Sequence, residues 1–339
     1  MKGASWRTAY VIGVGRVGGE CRRRQGLWLK SASSWRVRVE RCLRGPSPAA
    51  SRTQRSRLPA QHPLRACQAS PAAVPTPHSP RRTRLNAVGV LFAVVMFAWS
   101  LPFFVFMLLT YPWVWWRDRY ERRLFDAIAM LWMRLSMATM GVIPRVLGRE
   151  HLPAPSHPVV YVCNHTSYVD IFTLAFLRRR FKFVSKRSIF GIPIIGWAMR
   201  MARHIALARG DRRDQWRVFR EMVTHLQRGM SLVLFPEGTR SLDGRLRPFR
   251  SGAFRAAAEA GVPIVPLTVR GAADMMPPWA LAPLRWPREG ITLVVHPVIV
   301  TANKSVGQLT QEARTAIASA LPPHLRGESE VEAVENGEE

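Results

Sequence analysis

Residues 87–116 are almost wholly apolar and close on Tyr111-Pro112-Trp113-Val114-Trp115-Trp116, an aromatic cluster of the kind that collects at bilayer interfaces. A run of that length is a membrane segment, so the rest of the chain has to fold beside an anchor. Arginines flank it at 81, 82 and 84 and again at 117, 119, 122 and 123, so the positive-inside rule assigns no orientation. Pro102 predicts a kink. A helix dipping into one leaflet, with both ends on the same side, fits as well as one that crosses. A second helical stretch, 124–142, is interrupted by Asp126 and Arg134. It reads as an interfacial hairpin partner, or else as a buried helix of the domain that follows. Together, 87–143 are expected to form a membrane-anchoring helix pair.

Upstream of this segment the charge is lopsided. Residues 1–86 hold sixteen arginines and two lysines against Glu20 and Glu40, more than half of the formal net charge of +28. Such an excess suggests nucleic acid, but the leader mixes Arg with Ser, Ala and Pro and lacks an aromatic-basic recognition pattern. No nucleic-acid partner is expected. An Arg-rich, Ser-rich, acid-poor stretch is the composition of an organelle transit peptide, here over residues 1–80, with Leu64-Arg65-Ala66-Cys67-Gln68-Ala69 as the region of cleavage. A start codon placed too far upstream would give such a stretch as well. Cys21, Cys42 and Cys67 fall in the leader, leaving Cys163 alone in the body and excluding a structural disulfide within one mature chain. Cys163, on an expected strand, reads as a small buried hydrophobe rather than a nucleophile. The acidic residues 324–339 read as a disordered tail.

Between 147 and 323 the pattern alternates strand, loop and helix, which is α/β logic. Apolar runs at 159–163, 181–185, 231–235, 264–269 and 291–295 read as strands. Helices are expected at 170–178, around 216–226, at 253–260 and at 310–321, the second and third stopped by Gly229 and Gly261. Trp216, Phe219, Met222, Val223 and Leu226 share helical spacing and are expected in the core. In Val262-Pro263-Ile264-Val265-Pro266-Leu267-Thr268, the prolines restrict the strand to a sheet edge or to its ends.

Chemistry is concentrated directly after the first of these strands, in Asn164-His165-Thr166-Ser167-Tyr168-Val169-Asp170. A carboxylate bonded to one imidazole nitrogen fixes the tautomer and leaves the other nitrogen free to take a proton, so His165 and Asp170 suit general-base catalysis. On a continuous helix residues five apart lie roughly 140° apart. The two can therefore meet only if His165 is in the turn and Asp170 in the first helical turns. A second reading needs no catalysis: Ser167-x-x-Asp170 is also a capping box.

Three further blocks follow, the last of them the stretch 262–268 already described. The first, Lys186-Arg187-Ser188-Ile189-Phe190-Gly191-Ile192-Pro193, puts a basic pair before an apolar loop; outside the blocks, Arg209-Gly210-Asp211-Arg212-Arg213 is a glycine turn rich in guanidinium, usable for phosphate and equally a solvated loop before a helix. Phe235-Pro236-Glu237-Gly238-Thr239-Arg240-Ser241 ends a strand in a turn that offers a carboxylate, a bare backbone, a hydroxyl and a donor fork. Gly238 would let backbone N–H groups approach an oxyanion or phosphate, and Arg240 can bind phosphate bidentately. A plain glycine turn with a local Glu237–Arg240 pair is the other reading.

In this order, over about residues 147–300, the blocks resemble the glycerolipid acyltransferase family, whose N-H-x-x-x-x-D block matches 164–170. Among its members the chain is similar to the 1-acyl-sn-glycerol-3-phosphate acyltransferases. Phe181-Lys182-Phe183-Val184-Ser185-Lys186 and Ile192-Pro193-Ile194-Ile195-Gly196-Trp197-Ala198-Met199 look most like the plastid-type enzymes of plants and algae. The resemblance implies a mixed α/β sheet flanked by helices, with an N-terminal anchoring helix pair. It implies acyl transfer from acyl-(acyl carrier protein) or acyl-CoA to the sn-2 hydroxyl of lysophosphatidate, at a membrane and with neither metal nor cofactor. His165 would be the base and Asp170 its orienting partner, with backbone donors holding the oxyanion. Lys186, Glu237, Gly238, Thr239 and Arg240 would bind substrate, Lys186 and Arg240 at the phosphate. A plastid envelope location is implied, with a bacterial-type inner membrane or a mitochondrion as alternatives. Residues 201–209 are more basic than this subgroup leads one to expect. An acyltransferase for another lysolipid, or a non-catalytic module binding anionic lipid, are the competing functions.

Overall fold

The structure is a computed structural model that describes residues 86–208 and 210–327. The expected leader, Arg209 and the tail from 328 onward lie outside the described residues. The first helix, α1 (Ala87–Arg117), is capped by the Asn86 side chain, which accepts from Gly89 N, and it continues through Pro102 and Pro112. At 1.5 Å per residue it is about 46 Å long, enough to cross a bilayer by length and composition. Both of its ends, however, are tied to one domain. Asn86 Nδ2 donates to Leu284 O, while past the other end the Arg203 guanidinium donates to Arg119 O. Along its length one face buries Phe92, Val95, Met107 and Val114. The opposite face exposes Phe97, Leu101, Leu109 and Trp116.

The Asp118 carboxylate accepts from the N–H groups of Glu121 and Arg123 and turns the chain into α2 (Arg123–Thr139). Asp126 does not mark a solvent-facing side of this helix. It is buried and faces Lys182, whose fully buried ammonium also donates to Glu121 O and Ala202 O. Met130, Met133 and Met137 pack into the core beneath the sheet, so α2 is a buried helix of the domain that also carries α1.

The sheet comprises β1 (Arg145–Leu147), β2 (Val160–Cys163), β3 (Lys182–Lys186), β4 (Ile205–Leu207), β5 (Leu232–Leu234), β6 (Ile264–Arg270) and β7 (Thr292–Val295). Its order is β1-β7-β6-β2-β5-β3-β4, with every neighbouring pair parallel except β6 and β7. The helices are α3 (Val169–Leu174), α4 (Ile195–Met201), α5 (Arg212–Gln227), α6 (Gly252–Ala260), α7 (Ala272–Met275) and α8 (Val306–Ser319). Parallel strands need cover on both faces, and β2 supplies it through its period of two. Tyr161 and Cys163 pack with α2 and α3, whereas Val160 and Val162 pack with α5, α6 and α8.

Two expectations change here. β6 is interior, although Pro266 lies in its middle. Pro266 O accepts from His296 N, so the missing N–H leaves that pair with one bond instead of two, and two-way pairing resumes just beyond, between Ile264 and Ile299. Residues 324–327, expected in the tail, close the domain: Leu246 N donates to Leu325 O, and Leu325 packs on the core. For the site, the decisive feature is the run β2-β5-β3. Three adjacent parallel strands bring their carboxyl ends, and hence the three blocks, to one edge of the sheet.

Candidate active site

β2 ends at Cys163, and the chain turns through 164–168 into α3. In that turn His165 Nδ1 lies 3.0 Å from Asp170 Oδ2, with Asp170 fully buried and the imidazole 14% exposed. The same Oδ2 accepts from Thr166 N at 2.8 Å and Ser167 N at 2.7 Å. An oxygen already accepting from two amides leaves Nδ1 as the donor in the third contact, which makes Nε2 the free basic nitrogen. The capping reading is half realised. Asp170 reaches back to Ser167 N, but the Ser167 hydroxyl accepts from Val169 N and donates to Met276 O. One carboxylate oxygen shapes the turn and orients the imidazole together. The Phe235 ring stacks on His165 with centroids 4.0 Å apart.

Neighbouring residues of the block are structural. Asn164 clasps β6, donating to Val269 O and accepting from Val269 N. Burial pushes the Cys163 thiol well up, which agrees with a packing role.

Glu237 stands apart from its expected role. It is 4% exposed and turns inward from the cleft, its two oxygens accepting from His165 N at 2.7 Å and Arg247 N at 3.1 Å. On the other side of the same residue, Ser241 N donates to His165 O. His165 is therefore pinned by its backbone to the turn after β5, and Glu237 is a clasp rather than a group facing the cleft. Burial, opposed by these two amide bonds, raises its carboxyl to about 7.

Gly238 lines the cleft. Its φ is +75°, and its N–H is spent on Phe235 O, so it cannot offer that donor to an anion. What the bare backbone admits is Arg250: a Cβ at 238 would sit 2.7 Å from Arg250 Nε. Among the described residues, the N–H groups of Thr239 and Arg240 remain without an acceptor. The Thr239 hydroxyl accepts from Arg247 Nη1, and the Arg240 guanidinium lies 4.0 Å over the Tyr168 ring with Nη1 buried and unpartnered.

These groups open on a cleft of about 960 Å³. It brings together His165, Tyr168, Lys186, Gly238, Thr239 and Arg240, and adds Arg212, Trp216, Arg250 and Arg255. The basic pair of the second block separates: Lys186 faces the cleft, while Arg187 is held by Asp214. Trp216, expected in the core, is 56% exposed on the cleft wall, because it lies in the first turns of α5, beyond the sheet edge that buries Met222 and Leu226. Arg250 and Arg255 escaped the sequence reading, yet they straddle the start expected for the helix at 253, the one signal that pointed to them.

Residues 143–270 match the family model described as acyltransferase. A 1-acyl-sn-glycerol-3-phosphate acyltransferase of Chlamydomonas reinhardtii is 42% identical over 83% of this chain and 84% of its own. The chloroplastic 1-acyl-sn-glycerol-3-phosphate acyltransferase of Arabidopsis thaliana is 37% identical over 89% and 82%. The crystal structure of the acyltransferase PlsC of Thermotoga maritima aligns with a TM-score of 0.47 at 24% identity, covering 67% of this chain and 94% of that one.

Proposed function

We propose a mechanism from the premise that this chain belongs to the 1-acyl-sn-glycerol-3-phosphate acyltransferase family. Its activity is to acylate lysophosphatidate and form phosphatidic acid. The observation that carries the mechanism is the His165–Asp170 contact at 3.0 Å, which leaves Nε2 basic on a cleft rimmed by Lys186 and Arg240. The sn-2 hydroxyl gives its proton to Nε2 as its oxygen bonds to the thioester carbonyl carbon. Asp170 holds the imidazolium that forms. Amide donors of the turn after β5, those of Thr239 and Arg240, serve the oxyanion. Collapse breaks the C–S bond, and the thiolate takes the proton back from Nε2. The reaction draws on no cofactor beyond the acyl donor, which is acyl-(acyl carrier protein) or acyl-CoA.

Lys186 and Arg240 take the acceptor phosphate, a planar fork and a point charge on one rim. The test compares lysophosphatidate with the matching monoacylglycerol. Arg240→Lys keeps the charge and loses the fork, so the Michaelis constant for lysophosphatidate should rise roughly ten- to a hundredfold, a charged hydrogen bond being worth about 1.5–3 kcal/mol. Donor kinetics should hold, and the preference for the phosphorylated acceptor should shrink. A variant slowed equally on both acceptors would refute the assignment.

The same reading places the protein at a plastid membrane, with residues 1–80 as the address and α1 laid in one leaflet. Support for the leaflet comes from both ends of α1 being bound to one domain while its outer face stays apolar. Cysteines introduced by Asn86→Cys and Arg119→Cys should react with an impermeant reagent from the same side of a vesicle; reaction from opposite sides refutes it. Residues 1–80 fused to a fluorescent protein should carry it into plastids, and retention in the cytosol removes the address.

A further inference from the structure

The cleft carries more positive charge than its acceptor needs. Lys186, Arg212, Arg240, Arg250 and Arg255 line it, and no Asp or Glu does. Among the described residues, none of these five pairs with a carboxylate. A phosphate monoester brings at most about two negative charges. Two of the cations, Lys186 and Arg240, suffice for that. The volume points the same way, since about 960 Å³ lies at the top of the range for a site holding one small molecule.

The surplus is grouped. Arg240 turns to Tyr168 of the catalytic turn, whereas Arg250 lies against the backbone of Gly238 and leads, through Ser251 on the cleft wall, to Arg255 on the first turns of α6. α6 packs beside α5, whose first residue is Arg212, also on the cleft. Arg212 and Arg255 thus stand on the wall built by these two helices, beside the face of Trp216, and Arg250 lies between that wall and the turn after β5.

We propose that Arg212, Arg250 and Arg255 form a second anion subsite, which takes the phosphate of the acyl donor's pantetheine arm. The proposal rests on the acyl-transfer reading above and deepens it. Both donor classes carry this phosphate one pantetheine length from the thioester, so a single subsite serves either. A planar fork suits a phosphodiester, and the neighbouring indole suits the uncharged arm. Exposed guanidiniums with no carboxylate partner among the described residues give up no ion pair there when the phosphate arrives.

The test uses the full chain in lipid nanodiscs with lysophosphatidate at fixed concentration. The donors are oleoyl-4′-phosphopantetheine and its dephosphorylated counterpart, oleoyl-pantetheine, then oleoyl-CoA and oleoyl-(acyl carrier protein). The parent protein should use the phosphorylated arm at least roughly tenfold better in kcat/KM, the lower end for a charged hydrogen bond. Arg250→Gln with Arg255→Gln should use the two pantetheine donors equally, with the lysophosphatidate KM unchanged. Arg255→Gln alone, at an exposed helical position, should lose part of the preference and so guards against a misfolded double variant. Retained preference in the double variant, or no preference in the parent, overturns the proposal while leaving acyl transfer standing. No transfer by the parent from any donor overturns the transfer reading, and the subsite falls with it. Equal losses with oleoyl-CoA and oleoyl-(acyl carrier protein) support the shared phosphate. A loss confined to oleoyl-CoA points to the nucleotide end, and one confined to the carrier protein points to its acidic surface; either overturns the proposal.

Discussion

Lys182→Met should be among the most damaging single substitutions outside the His165–Asp170 turn. The Lys182 ammonium is fully buried and sits 2.7 Å from Asp126, with Ala202 O at 2.7 Å and Glu121 O at 2.5 Å completing its shell. It joins β3 to α2 and to the end of α4, so it locks these helices onto the sheet. Removing the ammonium leaves the Asp126 carboxyl and two carbonyls buried without their donor, which costs about 3–5 kcal/mol. For a folded part of this size, each kcal/mol moves the unfolding midpoint by about 2–4 °C, so a drop of roughly 6–20 °C is expected by tryptophan fluorescence in detergent micelles. The pH dependence has a definite sign. Burial raises the Asp126 carboxyl to about 7, with Lys182 pulling the other way, and loss of Lys182 raises it further. An unfolded Asp ionises near pH 4, so stability bound to this raised carboxyl is full below that pH and is lost as the pH rises. The gap to the parent protein should widen above about pH 7, where the parent's carboxyl ionises beside Lys182 and the variant's stays protonated. Asp126→Leu combined with Lys182→Met should recover part of the loss, because an apolar pair leaves no buried carboxyl without a partner. A single variant within about 0.5 kcal/mol of the parent, as for an ordinary surface change, would refute the reasoning. So would a double variant as unstable as the sum of its parts.

His165→Ala should lower turnover by roughly 10²- to 10⁴-fold or more with little change in acceptor KM, and stopped acyl-transfer assays across acceptor concentration read both. Asp170→Asn should be severe too, since an amide favours the wrong tautomer; normal turnover with only a lowered melting point would return Asp170 to a capping role. Glu237→Gln offers one oxygen to two amides and turns an NH₂ toward the other, so kcat should fall with both KM values held. A raised acceptor KM at unchanged kcat would instead make Glu237 a substrate ligand, as the sequence suggested.

What the sequence made legible was local. An apolar run followed by a polar cluster located His165 and Asp170, because a strand end and a helix start need only near neighbours to specify them. Glu237 was misjudged because its function depends on His165, which is 72 residues away and arrives through the β2-β5 pairing. Lys182 sits inside a run that reads as plain strand, and its partner Asp126, 56 residues earlier, reads as an interruption in an apolar helix. Each residue looks anomalous alone, and the anomaly disappears only when the two meet. Trp216 fails differently: helical spacing gives the direction of a side chain around an axis but not whether the sheet extends far enough to cover it. Pro266 shows that a rule about edges is really a rule about one N–H, whose loss an interior strand tolerates when the pairs on either side of it are intact.

These contacts divide the site into a fixed part and a free one. His165 is held at four points: its N–H by Glu237, its carbonyl by Ser241, its Nδ1 by Asp170 and its ring face by Phe235. In the proposed mechanism, a base positioned in this way meets the hydroxyl with no further loss of orientation at the moment of transfer. The cations around it are the reverse. Arg212, Arg250 and Arg255 are exposed and lack carboxylate partners among the described residues, so they can follow an incoming anion. A reaction that must admit two long amphiphiles and still align one proton needs both properties, and the fold supplies them from different places. Rigidity comes from the carboxyl ends of the adjacent strands β2 and β5, and adaptability from the first turns of α5 and α6 on the facing wall.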